Sequence, residues 1–122
     1  MYDVAKLYLV EVASVLIVVC PNTSRSVNRH RKRGTEFYSV TEGAFSTMIV
    51  PLSAVNEGIG ASFVGAFEDD KVKKSLWLPV HVKPIGIIAL GCPAEKPERF
   101  ERIELNNLVH YERYDRTKRL VS

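Results

Sequence analysis

Three histidines, two cysteines, a glycine cluster and one arginine-rich run are the groups whose types and spacing could do chemistry. His30, His81 and His110 have no i,i+4 partner and no carboxylate at ligand spacing, so a metal site is not expected. Cys20 and Cys92 form neither a CxxC pair nor a disulfide framework, which fits a reducing compartment. Cys92 sits at the end of an expected strand and reads as a packed or tolerated thiol, not a nucleophile. Gly58-Ile59-Gly60 followed by Gly65 invites a dinucleotide fingerprint, but the spacing is wrong. These glycines also follow a helix and precede a strand, the reverse of the order that fingerprint needs. There is no P-loop and no Gly-x-Ser-x-Gly elbow. Arg25–Arg33 holds Arg25, Arg29, Arg31, Lys32 and Arg33. It reads as a solvated loop or irregular helix, with a phosphate-contacting patch as the alternative. Nucleic-acid readers interleave such charge with stacking aromatics; none lies inside the run, although Phe37 and Tyr38 follow it.

These residues must be held by a small set of elements. Val15–Val19 is short, continuous and β-branched, the pattern of a strand buried on both faces. A helix over Tyr2–Val12 could lead into it, and Pro21-Asn22-Thr23-Ser24 ends it with turn formers. Ser39-Val40-Thr41-Glu42 fits a capping box. Ala44, Phe45, Met48, Ile49, Leu52 and Val55 then recur at helical spacing. Gly58 suits the left-handed position that closes such a helix. Pro51 lies inside it and predicts a kink, because it removes a donor and crowds the Thr47 carbonyl. Ala61–Ala66 reads as a second strand, Asp69–Ser75 as a short helix with acidic residues in its first turn, and Ile85–Leu90 as a third strand. Ala94–Ser122 is highly charged and too poor in apolar residues to pack on itself. It should drape over the body or reach a partner subunit, with a short helix near Leu105–Tyr111.

Length and composition bound the rest. The chain has 122 residues, enough for one domain with one modest core. The net charge of +3 is too small to imply a nucleic-acid binder by itself. The apolar stretch through Val15–Cys20 carries Glu11 when extended back towards Leu7 and falls short of a membrane span. The first residues lack a basic n-region and a small-residue cleavage site, so a cytoplasmic protein without membrane attachment is expected.

Read together, the middle and end of the chain resemble a known family. The relevant pieces are Glu57-Gly58-Ile59-Gly60, Phe63-Val64-Gly65-Ala66-Phe67, Asp70-Lys71-Val72-Lys73, Leu78-Pro79, Lys83–Pro97, Arg102 and Leu108-Val109-His110-Tyr111-Glu112. In order and spacing they are similar to the C-terminal part of the FMN-dependent nitroreductase family. Val15–Cys20 resembles that family's strand before its variable loop. Arg33-Gly34 and Tyr38 resemble its approach to the central helix. The likeness covers roughly residues 13–113.

The resemblance implies an α+β fold with a mostly antiparallel central sheet flanked by helices. It also implies an intertwined homodimer with FMN at the interface. One domain would span 1–122, its segment from about 94 to 122 contacting the partner subunit. The implied chemistry is ping-pong: NADH or NADPH delivers hydride to the flavin, which passes electrons to a nitroaromatic, quinone or similar small acceptor. Gly65 and Ala66 match the backbone that faces the flavin ring, where a side chain would hold the ring away. Arg102 matches the basic residue that contacts the FMN phosphate. Gly58 and Gly60 read as a helix cap and a turn.

The departures are specific. Family members are longer and open with an Arg-x-Ser-x-Arg segment and a Pro-Ser-x-x-Asn-x-Gln segment. Neither occurs here, so the chain reads as truncated at its N-terminus. Pro51 interrupts a helix that the family keeps regular, Trp77 stands where a helix-ending glycine is usual, and Cys92 replaces a tyrosine. Three functions follow as expectations: an FMN oxidoreductase, a truncated member that keeps the dimer scaffold without flavin or catalysis, or a basic binding module using Arg25–Arg33.

Overall fold

The architecture, taken from a computed structural model, describes residues 11–118. Strands β1 (Val15–Val19), β2 (Gly60–Val64) and β3 (Gly86–Gly91) form an antiparallel sheet in the order β1-β3-β2. Strand β3 takes the centre, as its near-continuous apolar run requires. Ile87, Ile88 and Ala89 are buried, and Ile88 has no exposed surface at all. Ile17 pairs with Ile88 and Ile88 with Phe63, so these three share one face of the sheet. Val18, Ile87 and Val64 share the other.

Strand β1 departs from expectation. Its sequence fits a strand buried on both faces, yet Val15 is 53% and Leu16 42% exposed. The reason is position: β1 has β3 on one side and no described strand on the other. Hydrophobic pattern states that a segment can be buried, not that its neighbours are present. The helix expected over Tyr2–Val12 lies outside the described residues except for Glu11 and Val12, which are helical.

Helix α1 (Thr23–Arg33) occupies the basic run. Asn22 starts it: its Oδ1 accepts from the Ser24 N–H at 3.1 Å and from the Ser24 hydroxyl at 2.6 Å. Arg31 breaks the helical path with φ 53° and ψ −134°, which makes this the irregular helix of the two expected forms. A π-helical turn (Gly34–Tyr38) then runs straight into the long helix α2 (Ser39–Asn56). The expected capping box is therefore not formed. Tyr38, the residue before α2, has helical angles of −65° and −40°, and no side chain caps the start. A cap is needed only where the chain enters a helix from extended backbone, and here it is already coiled. Ser39 is buried instead.

Helix α2 continues as one element across Pro51. Its end forms a Schellman motif: the Gly58 N–H donates to Val55 O at 3.0 Å and the Ile59 N–H to Ala54 O at 2.9 Å. Gly58 adopts φ 75°, the left-handed conformation that the motif requires. Strand β2 stops at Val64, two residues short of the expected Ala66. Helix α3 (Asp69–Ser75) has the expected bounds, with Asp69 and Asp70 in its first turn and Lys73 and Lys74 in its last, both favoured by the helix dipole.

Helix α3 closes by the same motif as α2. The Leu78 N–H donates to Lys73 O at 2.9 Å and the Trp77 N–H to Lys74 O at 3.4 Å. The residue in the left-handed position here is Trp77, with φ 52°. Beyond β3 the only described helix is the single turn α4 (Leu105–Leu108), and most residues from Cys92 to Arg116 are exposed. The segment closes locally: the Asp115 N–H donates to His110 Nδ1 at 2.8 Å, His110 stacks on Tyr114 at 4.4 Å, and the Lys118 ammonium donates to the Val109 carbonyl.

Candidate functional site

Gly65 and Ala66 follow β2 directly and are both exposed. The strand register brings this corner to the same end of the sheet as Val19 of β1 and Gly86 of β3. The Phe63 ring covers the corner. A Cβ at Gly86 would meet Phe63 Cε2 at 2.2 Å, and one at Gly65 would meet Phe63 Cε1 at 3.0 Å. A side chain at Gly86 would overlap the ring outright, while one at Gly65 would only crowd it. Phe63 remains 42% exposed, so part of the corner's surface is aromatic and open.

Arg102 lies in the exposed irregular segment before α4. It makes no ion pair among the described residues, so its guanidinium is free to meet an anion.

Two clefts lie elsewhere, and Gly65, Ala66 and Arg102 line neither. One, of about 410 Å³, sits between the end of β1 and the start of α2, with Cys20, Asn22, Arg25, Ser39 and Glu42 among its walls. Cys20 Sγ donates to Val18 O at 3.7 Å, and burial pushes its thiol pKa up, which disfavours the reactive thiolate. The other, of about 560 Å³, is a shallow depression at the end of α3, lined by Lys73, Lys74, Trp77 and Leu78 among others. Sequence reasoning registered Trp77 only as a departure from a family pattern. The signal it carried was a bulky residue where a helix end calls for glycine.

The basic run engages its own neighbours. The Arg33 guanidinium lies 4.6 Å from the Phe37 ring centre and 5.6 Å from that of Tyr38, and Lys32 pairs with Glu36 at 3.7 Å. Among the described residues no group of three or more His, Cys, Asp or Glu could hold a metal ion. No described helix is long and apolar enough to cross a membrane.

One surface is conspicuously apolar. Phe45, Met48, Ile49, Leu52 and Val55 of α2 are 62–66% exposed. No charged residue interrupts the helix from Gly43 to Asn56. The periodic stripe read in the sequence therefore faces outward from the single chain, with little of the protein's own body to cover it.

Comparison with known proteins defines the fold class. No protein-family model matches the chain. Among solved structures, it is similar to a nitroreductase family protein from Streptococcus pneumoniae, with a TM-score of 0.81 and 18% identity over 91% of this chain and 70% of that one. It is similar to NfrA1 of B. megaterium at TM-score 0.75 and 24% identity, over 88% of this chain and 49% of that one. It also matches the NADPH:FMN oxidoreductase of Vibrio harveyi, solved with NAD+, at TM-score 0.76 and 21% identity, over 87% of this chain and 49% of that one. The chain thus has a nitroreductase-like α+β fold. It spans about half the length of the B. megaterium and Vibrio harveyi proteins.

Proposed function

We propose that this chain is a flavin-binding oxidoreductase module of nitroreductase type, acting as a homodimer that uses FMN and NADH or NADPH to reduce a small nitroaromatic or quinone-like acceptor. The observation that carries this reading is the fold match over about nine-tenths of the chain. It is joined by the exposed Gly65-Ala66 corner at the sheet end and by Arg102, which makes no ion pair among the described residues. Both fit FMN. Gly65 and Ala66 leave backbone amides accessible with almost no side chain in the way, as a flat ring edge requires. Arg102 offers a planar fork of donors to a phosphate. Bound FMN supplies the hydride-accepting and electron-donating chemistry. The chain's own part is to present the corner amides to the ring and the guanidinium to the phosphate, and to place them together by pairing two copies.

That pairing is supported by the apolar stripe of α2. A self-complementary helix face suits a two-fold interface, in which the same residues meet on both copies. The C-terminal segment from about 94 onward, largely exposed in the single chain, is the part proposed to reach the partner. A protein of this kind works without membrane attachment, and a cytoplasmic setting suits its free cysteines.

The visible spectrum of the purified protein tests the proposal. Flavin bands that bleach on adding NADPH support it. Colourless protein that binds no added FMN, yet forms stable dimers, supports the second reading: a member that keeps the dimer scaffold without flavin or catalysis.

A further inference from the structure

The residue that closes α3 is out of place on grounds of stability alone. Trp77 holds the left-handed φ of 52° that favours glycine. It gains nothing from packing in exchange, since it is 92% exposed. A strained, solvent-facing aromatic is explained by something outside the chain. The second observation is what surrounds it. The shallow cleft of about 560 Å³ at this helix end is lined by Trp77, half-buried Leu78, Asp70 and the three lysines Lys71, Lys73 and Lys74. Lys71 is paired with Glu68 at 2.9 Å. Lys73 and Lys74 make no ion pair among the described residues. Asp70 is the one carboxylate in the lining, leaving an excess of positive charge.

We propose that this cleft binds a planar aromatic molecule carrying an anionic group, with the ring stacked on Trp77 and the anion held by Lys73 and Lys74. The indole face offers stacking to any aromatic ring, and the two free ammonium groups supply strongly solvated point charges for phosphate or carboxylate. The site is separate from the Gly65-Ala66 corner, and the proposal holds whether or not the chain binds flavin.

Trp77 is the only tryptophan, so its fluorescence reports on the cleft directly. The chain of residues 1–122, without added flavin, is titrated with adenosine 5′-monophosphate, with adenosine and with inorganic phosphate. The expected result is saturable quenching by the nucleotide that weakens with salt, and little quenching by adenosine at equal concentration. Lys73→Gln should weaken nucleotide binding about tenfold, as loss of one charge-assisted contact does. Lys74→Gln, at an exposed position, provides the same comparison should the half-buried Lys73 prove necessary for folding. Absence of saturable quenching overturns the proposal. So does equal quenching by adenosine, or nucleotide binding that both lysine variants leave unchanged.

Discussion

Phe63 and Gly86 occupy overlapping space on adjacent strands: the Phe63 ring lies where a Gly86 side chain would have to begin, with Cε2 only 2.2 Å from the ideal Cβ position. Phe63 pairs directly with Ile88, so Gly86 is its diagonal neighbour along β3, within reach of an aromatic ring. Adding a methyl group there must displace the ring or the strand. Gly86→Ala should destabilise the chain by about 1–3 kcal/mol, the usual cost of overpacking. Phe63→Leu in the same chain should recover part of that loss. Urea unfolding of the two single variants and the double variant gives the coupling, and additive losses would show that the ring does not press on Gly86.

The two helix ends offer a matched pair of substitutions. Gly58→Ala introduces a Cβ that meets no atom within 4 Å, so its whole cost is the positive φ. Stability should fall by about 1 kcal/mol. Trp77→Gly should do the reverse and raise stability by about 1 kcal/mol, because the exposed indole contributes no packing that would be lost. A midpoint of chemical unfolding that moves the same way for both would refute this account.

Leu52→Glu places a charge in the middle of the exposed stripe of α2. The single chain should fold as before, since Leu52 is 63% exposed. Self-association should weaken by at least about tenfold, because a desolvated unpaired carboxylate is costly at the centre of an interface. Light scattering over a concentration series measures this. A native chain that stays monomeric throughout would remove the homodimer.

The Asp115 carboxylate accepts from the Thr117 hydroxyl at 2.6 Å and from the Thr117 N–H at 2.9 Å. The Thr117 side chain first, and then its backbone N–H, lower the Asp115 pKa, with smaller help from Lys118 and His110. A carboxyl group with a depressed folded pKa adds stability above its unfolded value of about 3.9. That contribution fades as pH falls through the lower folded value. The Thr117 amide should therefore lose hydrogen-exchange protection only in acid, and Asp115→Asn should flatten the dependence.

Thiol accessibility separates the two cysteines. Cys92 is exposed, while Cys20 is partly buried with its pKa raised by desolvation. A disulfide reagent should modify Cys92 at least about tenfold faster, and the difference should vanish in denaturant, as the thiolate fraction and access both equalise. Faster reaction at Cys20 would contradict the burial that raises its pKa.

Much of this architecture was legible from residue order. The central strand announced itself through Ile87, Ile88 and Ala89, and α3 through the acidic residues Asp69 and Asp70. Gly58 marked the end of α2 because its conformation is one that few other residues tolerate. What was misread depended on context that no local pattern contains. Ser39 and Glu42 have the chemistry of a capping box, but the coiled chain before them leaves nothing to cap. The residues Val15 and Leu16 have the composition of a core strand, but lie at a sheet edge. Trp77 was visible as an anomaly, yet its left-handed backbone and its exposure emerge only once α3 is folded. The candidate flavin contacts Gly65, Ala66 and Arg102 came from family resemblance, since two small residues and one arginine carry no chemical signature of their own.

The open flank of β1 bears on how the protein behaves in the test tube. Among the described residues no strand pairs with the outer side of β1, and Val15-Leu16-Ile17-Val18-Val19 carries no proline, lysine or other charge to deter a visitor there. Such a segment is a template for ordered aggregation when it stays uncovered. Concentrated stocks should cloud with time unless this border is shielded, and a single lysine in place of Leu16 should keep them clear.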